Sequence, residues 1–211
     1  MSNAFEGLVQ GYRRFRSAAW AQQHDRWAEL TDGQTPQVMV IACSDSRVDP
    51  SQIFDTLPGE MFVVRNVAAM VPPFEVGGGR HGVSVAIEFA VTQLEVPEIV
   101  IMGHGACGGV NAALTRRFHE AKPGQGGFIA DWISLLDEAR EQILSNHADD
   151  PNIGRLMELE AVKVSLANLR SFPFVAEREA AGKLKLHGAY FAIADGVLHI
   201  LDEASGRFGS A

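Results

Sequence analysis

At 211 residues, 46% of them hydrophobic and 21% charged, the chain is long enough for one domain with a full core and short for two. A formal net charge of −8 argues against a general nucleic-acid binder, which needs a basic face, and no uninterrupted apolar run reaches membrane-spanning length. Met1-Ser2-Asn3-Ala4-Phe5 lacks the pattern of a secretory signal, so a cytoplasmic protein is expected, with its two cysteines reduced rather than bridged.

Between Phe5 and Leu30, the residues Phe5, Leu8, Tyr12, Phe15, Ala19 and Trp20 recur at helical spacing and predict one or two amphipathic helices. Lying ahead of the first strand, they are placed either on their own domain or across a partner subunit. Arg13, Arg14 and Arg16 read as a solvated face. After the turn at Asp32 to Pro36, Val38 to Ala42 is apolar throughout, as expected of a strand covered on both sides. Pro50 to Leu57 is a short helical segment, and Met61 to Val64 a second strand ending at Arg65-Asn66. Val71-Pro72-Pro73 and Gly77-Gly78-Gly79 mark a loop.

Gly82 to Leu94 reads as a helix, Pro97 to Met102 as a third strand, and Val110 to Phe118 as a helix beyond a glycine-rich turn. Lys122 to Gly127 is loop-like. Helices are expected over about 129–145 and 153–169, broken near Asp150-Pro151. Lys183 to Ala194 reads as a strand, turned by Asp195-Gly196 into Val197 to Leu201. These elements predict one three-layer α/β domain over residues 1–211: a mostly parallel sheet of about four strands with an antiparallel edge strand, flanked by helices.

In such sheets ligands bind beyond the carboxyl ends of the strands, where Cys43, Arg65, His104 and Cys107 all fall. Two thiols and an imidazole suit zinc. His104 and Cys107 bracket a tight turn and can face one ion. Cys43 joins them if its strand neighbours the third strand. Water and Asp45 are the candidates for a fourth position: water makes a catalytic site, and a fourth protein ligand closes it. Asp45 and Arg47 alternate on an extended segment and point to one side, where a bidentate pair would fix the carboxylate's angle.

Cys43-Ser44-Asp45-Ser46-Arg47-Val48 with His104-Gly105-Ala106-Cys107-Gly108-Gly109 resembles the β-class carbonic anhydrases. The likeness continues through Pro58-Gly59-Glu60, Phe62 to Ala68 and Leu186-His187-Gly188, spanning about Gln34 to Gly196. It implies a zinc lyase that hydrates CO₂ reversibly to bicarbonate and a proton, by attack of a zinc-bound hydroxide. It implies Cys43, His104 and Cys107 as metal ligands, and Asp45 and Arg47 as the catalytic dyad. It assigns substrate contacts to Gln34, reaching in from an adjoining subunit, and to Phe62, Val67, Phe89 and Gly108. Some plant members carry tyrosine where this chain has Phe89. It also implies a homodimer or a tetramer built as a dimer of dimers, with N-terminal helices at about 5–30 packed on a neighbour.

Family members switched by bicarbonate carry a Trp–Arg–Tyr anion site. The matching positions are Val40, Arg65 and Phe191, so an open site without that switch is expected.

The same sequence admits other readings. Arg65 could touch an anion or pair with Glu60 or Glu88. The glycines from Gly103 to Gly109 lack the Walker lysine and the dinucleotide spacing, and read as close backbone packing around the turn. His24, His81, His119, His147, His187 and His199 form no second metal pattern. A CS₂ or COS hydrolase and a non-catalytic zinc-binding module are the alternative functions.

Overall fold

The computed structural model describes residues 3–77, 79 and 81–211. Met1, Ser2, Gly78 of the triple-glycine loop, and Arg80 lie outside the described residues. The chain divides into two compact units, Met1–Thr35 and Pro36–Ala211. Among the described residues, no helix is long and apolar enough to cross a membrane.

The N-terminal unit holds three helices, α1 (Ala4–Ser17), α2 (Ala19–Gln22) and α3 (His24–Glu29), where the periodicity predicts one or two. Asn3 starts α1 by accepting a hydrogen bond from the Phe5 amide. Phe5, Leu8, Tyr12 and Phe15 form an apolar stripe, and all four are exposed. Two of the neighbouring arginines have local partners: Arg13 pairs with Glu6, and the Arg16 guanidinium sits 3.7 Å over the Trp20 ring.

In the second unit the strands are β1 (Val38–Cys43), β2 (Met61–Asn66), β3 (Glu98–His104), β4 (Lys185–Ala192), β5 (Val197–Asp202) and β6 (Arg207–Ser210). They lie in the order β2-β1-β3-β4-β5-β6. The first four are mutually parallel, and β5 and β6 follow antiparallel. The expected mixed sheet is therefore present, with one edge strand more than the sequence indicates. Arg207-Phe208-Gly209-Ser210 has no alternating pattern of its own and is a strand because β5 pairs with it.

The helices are α4 (Pro50–Ile53), α5 (Gly82–Glu88), α6 (Gly108–Thr115), α7 (Gly127–Ile133), α8 (Asp137–His147), α9 (Ile153–Arg170) and α10 (Pro173–Ala180). The helix expected to Leu94 changes at Phe89 into a wider turn reaching Gln93. Helix α10 is not evident from the sequence, since Val175 is its only buried residue.

β1 carries the architecture. Met39 and Ile41 face one core with Ile99, Ile101, Val162 and Leu166. Val40 and Ala42 face the other with Met102 and Ala189. Burying side chains of this kind on both faces contributes about 1.5–3 kcal/mol for each large one. The chain leaves β1 for β2 on one side and returns to β3 on the other. The connections diverge between β1 and β3, and this opens a crevice at their carboxyl ends.

Candidate metal centre

Cys43 ends β1 and His104 ends β3, and the two strands pair in register from Val38↔Glu98 to Ala42↔Met102. The strand adjacency required to bring the cysteines together is thus present. The ligand atoms of Cys43, His104 and Cys107 lie within 4.8 Å of one another, and all three residues are buried. The two sulfurs are 4.0 Å apart, about twice a disulfide bond length, and both cysteines are free thiols.

His104 Nδ1 lies 2.9 Å from the Gly105 carbonyl, which can only accept, so Nδ1 carries the proton. Nε2 keeps its lone pair, is buried, and has no hydrogen-bond partner of normal geometry. An orphaned imidazole nitrogen beside two sulfurs is the donor set of a zinc site, so the residues present fit the metal. The hydrogen bond from Cys107 draws the Cys43 thiol down to about 4, against the opposing effect of burial. The same bond and burial push Cys107 up. Between them the pair holds one proton that a metal would displace. Burial draws His104 down, but the Cys43 sulfur, the Gly105 carbonyl and the Asp45 charge together more than offset it, and the net shift is upward.

Asp45 and Arg47 do share one side. Arg47 Nε donates to Asp45 Oδ1 at 2.9 Å and its terminal nitrogen to Oδ2 at 2.7 Å, while the Arg47 amide also donates to Oδ1. These bonds hold the Asp45 carboxyl far below the usual carboxylate range and raise Arg47. Arg47 is further fixed by donating to the Ala106 carbonyl at 3.0 Å, which ties the dyad to the turn between His104 and Cys107.

Among the described residues, the acidic partner of Arg65 is Asp49. The three guanidinium nitrogens donate to the Cys43 carbonyl, the Asp45 carbonyl and Asp49 Oδ2. Asp49 in turn caps α4 through Oδ1 on the Ser51 amide. The guanidinium thus clamps the loop from Cys43 to Asp49 that carries the dyad.

The residues assigned to substrate are placed unevenly. The Phe62 and Phe89 rings lie 5.8 Å apart, and Phe89 is exposed. Val67, also exposed, packs on the turn: a Cβ at Gly109 would meet its Cγ1 at 2.8 Å. Gly108 is open, with nothing within 4 Å of a would-be Cβ. Gln34 is exposed and belongs to the N-terminal unit. A cavity of about 750 Å³ borders Arg47 and Gly108 but none of Phe62, Val67 or Phe89. Close packing accounts for Gly103, Gly105 and Gly109, against Val162, the Tyr190 hydroxyl and Val67 respectively, but not for Gly108.

Two features escaped the sequence. Ala68, Ala69 and Ala106 hold left-handed backbone conformations at φ 66°, 55° and 54°, in the two loops that border the ligands. Such strain costs on the order of 1–3 kcal/mol per residue and gathers at functional sites. Nothing in three alanines announces it. The second feature is Glu158, 8% exposed, whose Oε1 accepts from the Cys107 amide at 3.0 Å. Its signal was available: it falls on the buried stripe of α9 with Met157, Ala161, Val162 and Ser165.

A sheet with its switch point at two cysteines and a histidine, and a carboxylate locked by arginine alongside, defines a class that comparison with known proteins identifies. The chain belongs to the carbonic anhydrase family, in its β class: the family model for carbonic anhydrase matches residues 38–198. "Beta carbonic anhydrase 3" of Arabidopsis thaliana is 35% identical over 201 residues, covering 94% of this chain and 77% of that protein. Among solved structures, the β-carbonic anhydrase CcaA superposes with a TM-score of 0.91 at 28% identity, over 100% of this chain and 93% of that one. The β-carbonic anhydrase CafA of Aspergillus fumigatus gives 0.81 at 31% identity, over 95% and 91%. A tetrameric β-carbonic anhydrase of Sordaria macrospora gives 0.80 at 27%, over 95% and 98%.

Proposed function

We propose that the chain is a zinc enzyme that hydrates CO₂ reversibly to bicarbonate and a proton. The observation that carries this reading is the open three-ligand cluster: Cys43, His104 and Cys107 converge while the Asp45 carboxylate is turned onto Arg47. Family membership supports the same reaction.

Zinc, when bound, supplies a Lewis acid that lowers the pKa of water at a fourth position. The remaining work belongs to the chain. Cys43 and Cys107 as thiolates balance the charge of a divalent ion, and His104 offers its Nε2 lone pair. Asp45 Oδ1 accepts two hydrogen bonds and Oδ2 one, so Oδ2 retains a lone pair. An ionised carboxylate can only accept, so an O–H beside it must donate to it and turn its own lone pair elsewhere, toward the carbon of CO₂. Arg47 keeps Asp45 ionised and off the metal. Phe62, Val67, Phe89 and Gly108 form the apolar side of the CO₂ pocket, and Gln34 of an adjoining subunit its polar side.

The N-terminal helices at about 5–30 pack on a neighbouring subunit in a dimer or dimer of dimers. The exposed stripe Phe5, Leu8, Tyr12 and Phe15 supports this, as does the tetrameric relative. Reduced thiols suit a cytoplasmic setting.

Stopped-flow CO₂ hydration with parallel metal analysis tests the reading. Wild type should bind one zinc per chain and hydrate CO₂. Cys43→Ser should lose both properties, while Asp45→Asn should keep zinc and lose about 10²-fold or more in rate. Zinc-loaded wild type without CO₂ hydration at neutral to alkaline pH would overturn it.

A further inference from the structure

The turn from His104 to Cys107 is tied at its first end by the His104 ring, which donates to the Gly105 carbonyl, while its Cys107 end is held from outside. Ala106 is left-handed, and the Cys107 amide finds no acceptor within the turn. Its partner comes from 51 residues away, Glu158 Oε1 on α9, at 3.0 Å. The other carboxylate oxygen accepts from the Tyr190 hydroxyl at 2.8 Å. Tyr190, 3% exposed on β4, is seated in turn against Gly105, where an added Cβ would come within 3.1 Å of the hydroxyl. The result is a closed circuit from the turn to α9, to β4 and back to the turn.

A buried carboxylate beside two prospective thiolates is costly to place there unless its hydrogen bonds need it. Both oxygens are occupied, one on the backbone of a ligand and the other on a side chain that packs on the same turn. We propose that Glu158 is a positioning residue for the metal: it fixes the Cys107 peptide so that the sulfur faces Cys43 and His104, and Tyr190 fixes Glu158. This rests on the zinc reading above and adds residues outside the ligand set and the dyad. Outer-shell partners of this kind typically change metal affinity about 10–100-fold.

The test is zinc affinity of the full chain, measured by competition with a chromophoric chelator, together with the thiolate-to-metal absorption band of the cobalt-substituted protein and urea stability of the metal-free protein. Glu158→Ala should weaken zinc by about 10–100-fold and shift the cobalt band. Glu158→Gln keeps a carbonyl oxygen for the Cys107 amide and should restore affinity and band to near wild type. Tyr190→Phe should weaken zinc by a smaller factor without unfolding the metal-free protein, and it decides the matter with Glu158→Gln if Glu158→Ala does not fold. Unchanged affinity and spectrum in Glu158→Ala, or in Tyr190→Phe where that variant decides, would overturn the proposal. So would a loss in Glu158→Gln equal to that in Glu158→Ala, because charge would then matter rather than geometry. Wild type that binds no zinc would sink this proposal together with the metal reading, whereas wild type that binds while Glu158→Ala binds equally well sinks this proposal alone.

Discussion

Asp45 has two possible partners, a metal ion and a guanidinium, and three hydrogen bonds from Arg47 commit it to the second. The commitment has a sign in pH. Because the folded carboxyl titrates below its unfolded value, the stabilisation from the pair is complete above about pH 4, the ordinary aspartate pKa, and is lost only as pH falls through the depressed folded value. The carboxyl carbon resonance of Asp45 should therefore stay flat from about pH 9 to about pH 4. In Arg47→Ala it should titrate near the ordinary carboxylate range. A wild-type midpoint near the ordinary value would mean the pair does not form in solution. Arg65 acts at the same scale but through backbone: it holds the carbonyls of Cys43 and Asp45, and so sets where the dyad begins.

At the scale of elements, what was legible in the sequence is what depends on local pattern. The apolar runs gave β1, β2 and β3, and their ends marked Cys43, Asn66 and His104. The element that sets the back of the site, α9, was visible as a helix, but not the fact that its Glu158 reaches Cys107, since that depends on how α9 crosses β3. Gly103 records this crossing. A Cβ there would lie 2.6 Å from Val162 Cγ2, and a branched side chain packed in the core has little room to move. Gly103→Ala should cost about 1–3 kcal/mol in urea unfolding of the metal-free protein. Unfolding at wild-type stability would show that α9 has slack against the strand. β6 and α10 were hidden for a related reason: each is held by neighbours rather than by its own periodicity.

Across the whole molecule, several apolar side chains face solvent in a single copy. They include Phe5, Leu8 and Tyr12 of α1, and Val67, Val85 and Phe89. Scattered exposed apolar residues need no explanation, but a helix whose entire apolar stripe is unburied does. Sedimentation should find a dimer or tetramer in wild type and a smaller species in Leu8→Glu, with CO₂ hydration falling alongside if Gln34 is supplied by a neighbour. A monomeric wild type with full activity would contradict both parts.

The proposed chemistry needs a metal held by three residues with its fourth position left to solvent. A crystal structure of the zinc-loaded protein near neutral pH, with the metal located by anomalous scattering, tests this directly. It should show Cys43, His104 and Cys107 on zinc, a solvent oxygen in the fourth position, and Asp45 still bidentate on Arg47. Asp45 bound to zinc with Arg47 unpaired would contradict it.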